Sequence, residues 1–186
     1  MAKSNFDVTS IKGDNTTGPL LFNPDTKVEV TLDTDFSGDG WVKFGYGSTD
    51  GVSGETTADD SDKTVWGASL GKIYSNFQDT LTMHCASFVD EDVWKIIAGT
   101  ENVTSDTKAI TIKRKNATVT GTFVVVGKTD DGRKVMWIYR GQTSPAFSFD
   151  AGETDVITFD LTISGIAADD GTTSTMLIEK KAVAGA

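Results

Sequence analysis

The two residue types that most often carry nucleophilic or metal chemistry occur next to each other in this chain. His84 is the only histidine and Cys85 the only cysteine. The residues around them alternate between apolar and polar, which predicts a strand whose successive side chains point to opposite faces. A Cys–His nucleophile pair or a histidine-based zinc site therefore cannot be built from them within one chain. We expect Cys85 in the core and His84 on a polar face.

Other catalytic signatures give no support for an enzyme. A single histidine offers no persuasive Ser-His-Asp set, and the phosphate-binding string GxxxxGK[ST] does not occur. Acidic residues are plentiful, so a hydrolase with a carboxylate pair stays open as the weakest alternative. Because no two carboxylates stand out, we expect no catalysis and no cofactor.

One glycine-rich stretch resembles part of a calcium loop. Asp33, Asp35, Ser37 and Gly38 match the first, third, fifth and sixth loop positions. The twelfth position should be a bidentate glutamate and is Phe44. Since the flanking segments look like strands rather than helices, we expect a β-hairpin turn here and no metal ion.

Length and composition limit the elements that can position these residues. With 186 residues and 38% hydrophobic content, the chain suffices for one domain with a real core. A lone cysteine excludes an internal disulfide and fits a reducing compartment. The N-terminus shows no apolar signal-peptide core, and no run of about 18 apolar residues occurs, so we expect no membrane association.

The net charge of −10 is unevenly distributed. Residues 1–106 carry 18 acidic and 7 basic side chains, whereas residues 107–186 carry 9 and 10. An acidic protein repels nucleic acid at long range, which disfavours tight DNA binding. The simplest role of the charge is solubility.

Alternation of apolar and polar residues predicts about nine or ten strands. The clearest hairpin joins 118–127 to 133–140 through the turn TDDG. Residues 155–164 predict a strand with these inward side chains: Ile157, Phe159, Leu161 and Ile163. Further strands are expected at 27–33, 41–46, 65–74, 80–85, 107–113, 145–149 and 175–181. The pattern is typical of an all-β fold, a β-sandwich or half-open barrel with one short helix.

The short helix is predicted at 90–98. Asp90 suits the N-cap, and Gly99 suits the residue after the last turn. Val89 before the cap can contact Trp94 as a hydrophobic staple. About two turns are too short to be stable alone, so the helix must pack on a sheet through its apolar residues Val93, Trp94 and Ile97.

The remaining segments lack a packing pattern. Residues 1–25 are expected to form a polar N-terminal arm anchored by the apolar run 20–22, and residues 182–186 a flexible tail, both within a single domain spanning 1–186. Residues 47–64 are expected to form a long acidic loop, which is either a floppy surface loop or one that orders only against a partner. Its candidate contact residues are Asp50, Glu55, Asp59, Asp60, Asp62 and Lys63.

Three motifs follow one another between residues 66 and 112. The first is F-x-D-x-L-T, formed by Phe77, Asp79, Leu81 and Thr82; DVWKII-G in the helix and NVT at 102–104 follow. This order, with the later hairpin and the strand ending TFDLTISG, resembles the tail tube proteins of long, non-contractile-tailed bacteriophages over roughly residues 28–178. The extra immunoglobulin-like C-terminal domain that some members carry is not visible here.

The resemblance implies a structural virion protein and no enzyme. Six copies would form a ring whose inner sheets join into a barrel, and rings would stack into the tail tube through which DNA is ejected. Assembly would take place in the host bacterial cytoplasm, with the tape measure protein, tail terminator and distal tail proteins as further partners. Candidate lumen-facing residues are Glu29, Asp33, Thr158, Asp160 and Thr162.

Two other classes of protein fit the sequence. A carbohydrate-binding β-sandwich module would need an exposed platform of Trp41, Trp66 and Trp137. Another virion component, such as a tail terminator or a capsid decoration protein, would share the composition but form a closed ring or trimer.

Overall fold

Strands form most of the chain, with one α-helix. The computed structural model describes residues 11–13, 20–38, 40–44, 47–65, 68–85, 89–115, 118–144, 148–150 and 157–181. The strands are β1 (Ile11–Gly13), β2 (Leu20–Asn23), β3 (Val42–Lys43), β4 (Gly47–Val65), β5 (Ala68–Cys85), β6 (Val103–Ser105), β7 (Ile110–Ile112), β8 (Thr120–Thr129), β9 (Lys134–Thr143), β10 (Ser148–Asp150), β11 (Thr158–Gly165) and β12 (Ser174–Ile178), and helix α1 spans Glu91–Ala98. The predicted all-β fold with one short helix is confirmed.

Ten of these strands form one antiparallel sheet in the order β3-β2-β8-β9-β11-β5-β4. Strands β1, β10 and β12 attach to β8, β11 and β9, and β6 pairs only with β7. The central pair β8–β9 is the hairpin that the sequence predicted. Residues 121–127 are buried without interruption, because both faces of β8 are covered.

Alternation along the central strands divides the core in two. Phe123 and Val125 point into the main core, which also holds α1 and the inner faces of β5 and β11. Val124 and Val126 point the other way, into a second cluster that includes Phe36. On β11, the predicted inward residues 159, 161 and 163 are buried, but Ile157 is 38% exposed because it precedes the strand.

The predicted strand at 27–33 is wrong, although its burial alternates as expected. Val28, Val30 and Leu32 are half-buried between exposed neighbours, and the last two pack against the second cluster. The segment forms turns and no ladder, because β2 already pairs with β3 on one side and β8 on the other. It therefore lies across the face of β8 and β9.

Where the structure describes the predicted N-terminal arm, the expected anchor at 20–22 is buried, but it is a strand of the sheet. β2 contributes a completely buried run to the sheet, and β1 pairs with β8. Leu20 and Leu21 are buried on opposite faces in the two core clusters, so this segment is part of the core. The remainder of the arm and the predicted tail at 182–186 lie outside the described residues.

Helix α1 begins and ends where the sequence places it. The Asp90 carboxylate accepts hydrogen bonds from the N–H groups of Asp92 and Val93 at 2.9 and 3.5 Å. At the other end, Gly99 has φ 87° and donates its N–H to the Lys95 carbonyl. These contacts satisfy backbone groups that a helix leaves unpaired at its termini.

The helix packs on the sheet through its aromatic residue. Trp94 is 4% exposed, and its ring stacks on Phe159 with 5.9 Å between centroids. Val93 and Ile97 are buried on either side of it. The predicted staple from Val89 is wrong, since Val89 is 86% exposed: Trp94 turns toward the sheet and leaves no apolar surface for it.

We expect Asp90→Ala to lower the free energy of unfolding by about 1 kcal/mol, because the N-terminal N–H groups of α1 lose their acceptor. Urea unfolding followed by tryptophan fluorescence measures this loss. Asp90→Asn retains a capping oxygen and should stay within about 0.5 kcal/mol of wild type. Equal losses in the two variants would contradict the capping role.

The predicted acidic loop at 47–64 is wrong, because β4 runs through the whole stretch. It pairs with β5 from Gly47 opposite Cys85 to Val65 opposite Ala68, with irregularities in register along the way. Apolar alternation marks a strand only where one face is buried, and most of this hairpin buries neither face. Backbone hydrogen bonds to β5 therefore hold a segment whose side chains look like those of a loop.

Candidate assembly surface

The far end of the β4–β5 hairpin is the most exposed part of the described fold. We call residues 57–78 the distal hairpin. All of its described side chains are exposed except Ala58, which is half-buried. Three large apolar side chains are among them: Ile73 is 49%, Tyr74 57% and Phe77 65% exposed. A lone two-stranded ribbon is marginally stable in water, so this end is suited to be covered by a partner.

The predicted contact residues follow the same strand. Glu55, Asp59, Asp60, Asp62 and Lys63 are exposed along β4, while the side chain of Asp50 lies outside the described part. Asp60 pairs with Lys72 on β5, and the Asn76 amide donates to Asp59 at 2.7 Å. Residues 52–78 carry four acidic and two basic side chains, so the hairpin has a negative surface.

Two aromatic side chains of the distal hairpin, Tyr74 and Phe77, lie on one face. Thr56 lies opposite Asp79, and Asp60 lies opposite Tyr74. Since register partners share a face and β4 alternates, Tyr74 lies on the same face as Thr56. Phe77 precedes Asp79 by two residues on β5 and therefore shares its face. A bulge at Asn76, with φ 53°, lies between Tyr74 and Phe77 and keeps both on this face. We call Tyr74 and Phe77 the aromatic strip.

Asp79 fixes the base of this hairpin. Asp79 is 8% exposed, and its carboxylate accepts hydrogen bonds from the hydroxyls of Thr173 at 2.6 Å and Ser174 at 2.7 Å. It also accepts one from Thr56 on β4. Burial alone would raise the pKa of Asp79, but these three donors hold it below its usual value. The sequence motif contained this aspartate without indicating that it joins β4, β5 and β12.

A groove opens beside this contact. It has a volume of about 540 Å³ and is bounded by β4 on one side and by β9 and β12 on the other. Gly54 lies close to Tyr139, such that a Cβ there would come within 2.8 Å of the phenol oxygen. The lining residues are Val52, Gly54, Thr56, Leu81, Val125, Trp137, Tyr139, Ser174 and Met176. The groove is therefore mostly apolar and exposes Met176, at 47%, along its rim.

The outer face of β11 and β5 is polar. Asp160 lies opposite His84, with 2.5 Å between the carboxylate Oδ1 and Nδ1, and Thr162 lies opposite Thr82. Thr158 follows the same alternation. This face lies on the same side of the sheet as the second core cluster, which the segment bearing Glu29 and Asp33 covers. Among the predicted lumen residues, only those on β11 form a continuous strand face. Glu29 and Asp33 are exposed on the segment between β2 and β3.

Cys85 and His84 are separated as the sequence predicted. Cys85 is completely buried, and burial, followed by the nearby Asp160 charge, raises the pKa of its thiol to about 12. His84 is half-exposed on the opposite, polar face. The two side chains cannot act as a nucleophile and base.

The sequence contains one GxSxG string, GASLG at 67–71. In hydrolases this string forms a strand-to-helix turn that exposes its serine. Here its described residues, 68–71, belong to strand β5, and Ser69 is the register partner of Thr64. These residues form a strand and not a strand-to-helix turn.

The β-hairpin predicted around Asp35 is wrong, because residues 27–33 form no strand and β3 pairs with β2. A turn does form at Asp35, and it has a local explanation. The Asp35 carboxylate accepts hydrogen bonds from the backbone N–H and the hydroxyl of Ser37 at 2.9 and 2.8 Å. These bonds lower the pKa of Asp35. Among the described residues no three His, Cys, Asp or Glu side chains are grouped to hold a metal ion.

The tryptophans do not share a platform. Trp41 meets Phe36 edge-on at 4.9 Å in the second cluster, whereas Trp137 lines the groove on the opposite side of the sheet. Trp66 lies outside the described residues. A carbohydrate platform made of Trp41 and Trp137 is therefore ruled out by the topology.

We expect Asp79→Ala to lower the free energy of unfolding at pH 7 by about 2–4 kcal/mol, since three hydroxyls lose a charged acceptor. The folded pKa of Asp79 is below its unfolded value, so its contribution is complete above the usual carboxyl pKa of 3.8 and is lost as the pH falls through the folded pKa. Urea unfolding at pH 7 and at pH 3 should show the difference between wild type and variant shrinking in acid. A difference independent of pH would contradict the role of the charge.

Within the described chain, α1 is the sole α-helix, and its eight residues are far too few to cross a membrane. No protein-family model matches the sequence, and no curated protein matches it either.

Proposed function

We propose that this protein is a structural subunit that polymerises into a phage tail tube. The observation that carries the proposal is the distal hairpin, which extends beyond the core with exposed aromatic and acidic side chains on an ordered ladder. Its backbone bonds are made, but its apolar side chains have no cover within the described fold. A second copy of the chain would provide that cover.

The ends of the sheet support the same proposal. Among the described strands, β3 and β4 terminate the sheet path, so their outer edges have no neighbour there. Unpaired edges are sites at which further strands can add. Joining edges in a closed ring of six copies would remove them, and stacking rings through the hairpins would extend the ring into a tube.

The charge of the chain fits a channel for DNA. A net charge of −10 and a β11–β5 face of threonine, aspartate and histidine side chains offer few cations to phosphate. Tight binding of duplex DNA requires phosphate neutralisation by Lys and Arg. A wall of this composition would let DNA pass during ejection without holding it. The resemblance adds the tape measure, terminator and distal tail proteins as partners in the virion tail.

Negative-stain electron microscopy of the purified, concentrated chain tests the proposal. We expect hollow tubes of stacked rings, with no added cofactor. Closed single rings or trimers would instead indicate a terminator or decoration protein, and a chain that stays monomeric at every concentration would contradict the proposal. A pull-down with soluble glycans, expected to be negative, tests the carbohydrate-binding alternative in parallel.

A further inference from the structure

We propose, building on this assembly function, that the groove between β4 and β12 receives the aromatic strip of a second copy of the chain. Tyr74 and Phe77 of one copy would lie against Trp137 and Met176 of the next. The proposal identifies which surface of the protein the distal hairpin contacts.

The groove has the shape and chemistry of an acceptor. Trp137, Tyr139 and Val52 form its apolar lining, and Met176 stands 47% exposed on its rim. Alternation along β12 places Ile178, which is 52% exposed, on the same face as Met176. The apolar surface therefore continues past the groove toward the end of β12.

A copy cannot fill its own groove with its own strip. One wall of the groove is the base of the same hairpin, and the ladder continues from that base through Asp60 opposite Tyr74. At ~3.3 Å per residue, Tyr74 lies roughly 15 Å beyond Asp79. Folding the hairpin back would break the ladder, so the strip is available only to another copy.

Charge favours the same pairing. Residues 52–78 have a net charge of −2. The surface where β12 ends has a net charge of +2, from Lys128, Arg133, Lys134, Lys180 and Lys181 against Asp130, Asp131 and Glu179. Glu179 donates its N–H to the Lys134 carbonyl, which joins these residues into one surface. A negative hairpin approaching the groove therefore meets a positive border.

Strip and groove are different patches on each copy. A contact between different patches can repeat from copy to copy and build an open polymer or a ring. Such a head-to-tail contact is what stacked rings require, because each copy must both give and receive a hairpin.

Disulfide mapping between two variants that each carry one introduced cysteine tests the contact without depending on tubes. Ala58→Cys places a thiol beside the strip, and Met176→Cys places one on the groove rim. When the two proteins are mixed and oxidised, we expect a 58–176 cross-link between chains, identified by peptide mass spectrometry. The native Cys85 is completely buried with a raised thiol pKa, so it should not compete.

Val89→Cys is the matched control, because residue 89 is 86% exposed and lies before α1, outside the groove lining. Mixed with Met176→Cys, it should yield roughly tenfold less cross-link, since no contact raises its effective concentration. Equal yields of the 58–176 and 89–176 cross-links would overturn the proposal.

Met176→Arg provides a second readout. We expect it to raise the concentration needed for tube formation at least about tenfold, equivalent to roughly 1.4 kcal/mol of lost contact, while Val89→Arg leaves it unchanged. Wild-type tubes without the 58–176 cross-link would overturn the groove contact alone. The cross-link without wild-type tubes would support the contact and overturn the tube.

Discussion

Replacing residues 58–77 by Asn-Gly should give a folded monomer that forms no tubes. Thr57 and Gln78 are register partners, so a two-residue turn can join them without altering the remaining ladder. The deletion removes Ile73, Tyr74 and Phe77, the large apolar side chains that the structure describes as exposed there, and retains Asp79 with its hydroxyl donors. Because the described side chains that it removes are exposed apart from Ala58, the free energy of unfolding should change by less than about 1 kcal/mol.

Urea unfolding measures the stability of this variant, and size-exclusion chromatography with negative-stain microscopy measures its assembly. A matched control exchanges Ser61 and Thr57, exposed polar residues of β4, for alanine and should assemble normally. Tubes of normal length from the shortened chain would remove the hairpin from the assembly mechanism. An unfolded chain would show instead that the hairpin belongs to the folding unit.

Trp94→Ala should be the most destabilising single change in the helix. The ring is 4% exposed and stacked on Phe159, so its removal leaves a cavity between α1 and the sheet. Loss of a buried tryptophan costs about 3–5 kcal/mol, which for a chain of this size lowers Tm by roughly 6–20 °C. Thermal unfolding followed by far-UV circular dichroism gives the shift.

Lys95→Ala separates packing from helix propensity in the same experiment. Lys95 pairs with Glu91 at 2.9 Å and with Asp92 at 3.1 Å on the solvent side of α1. Surface pairs of this type contribute about 0.2–0.5 kcal/mol each, so the variant should lose less than about 1 kcal/mol. If Trp94→Ala were no more destabilised than this control, the helix would not be fixed by its contact with Phe159.

Local signals in the sequence were sufficient where local physics decides the structure. Asp90 and Gly99 bound α1 because a cap acts on the backbone within a few residues. The turn before Arg133 joins β8 and β9. Both strands are so rich in apolar residues that this hairpin must be buried and cannot lie exposed at the surface. On β11, strict alternation matched burial from Phe159 to Ile163, because one face packs in the core and the other remains half-exposed.

The same patterns gave wrong predictions where pairing with a distant segment of the chain decides the structure. Residues 27–33 alternate like a strand, yet no edge of β2 is available for them. The apolar run at Leu20 looked like an anchor for an arm, and it is a strand inside the sheet because β3 and β8 pair with it on either side. The polar side chains of residues 47–64 predicted a loop. The strand is held by backbone hydrogen bonds to β5, and the side-chain pattern of an exposed ribbon gives no sign of such bonds.

By itself, the sequence determined an acidic all-β chain with one capped helix and a thiol and imidazole on opposite faces. These features follow from side-chain type and spacing, which act over a few residues. Only the tertiary structure decided that Asp79 joins β4, β5 and β12, and that a groove opens next to it. Thr173 lies 94 positions from Asp79, and contacts at such separation are set by how the sheet closes around its core, which no local pattern encodes.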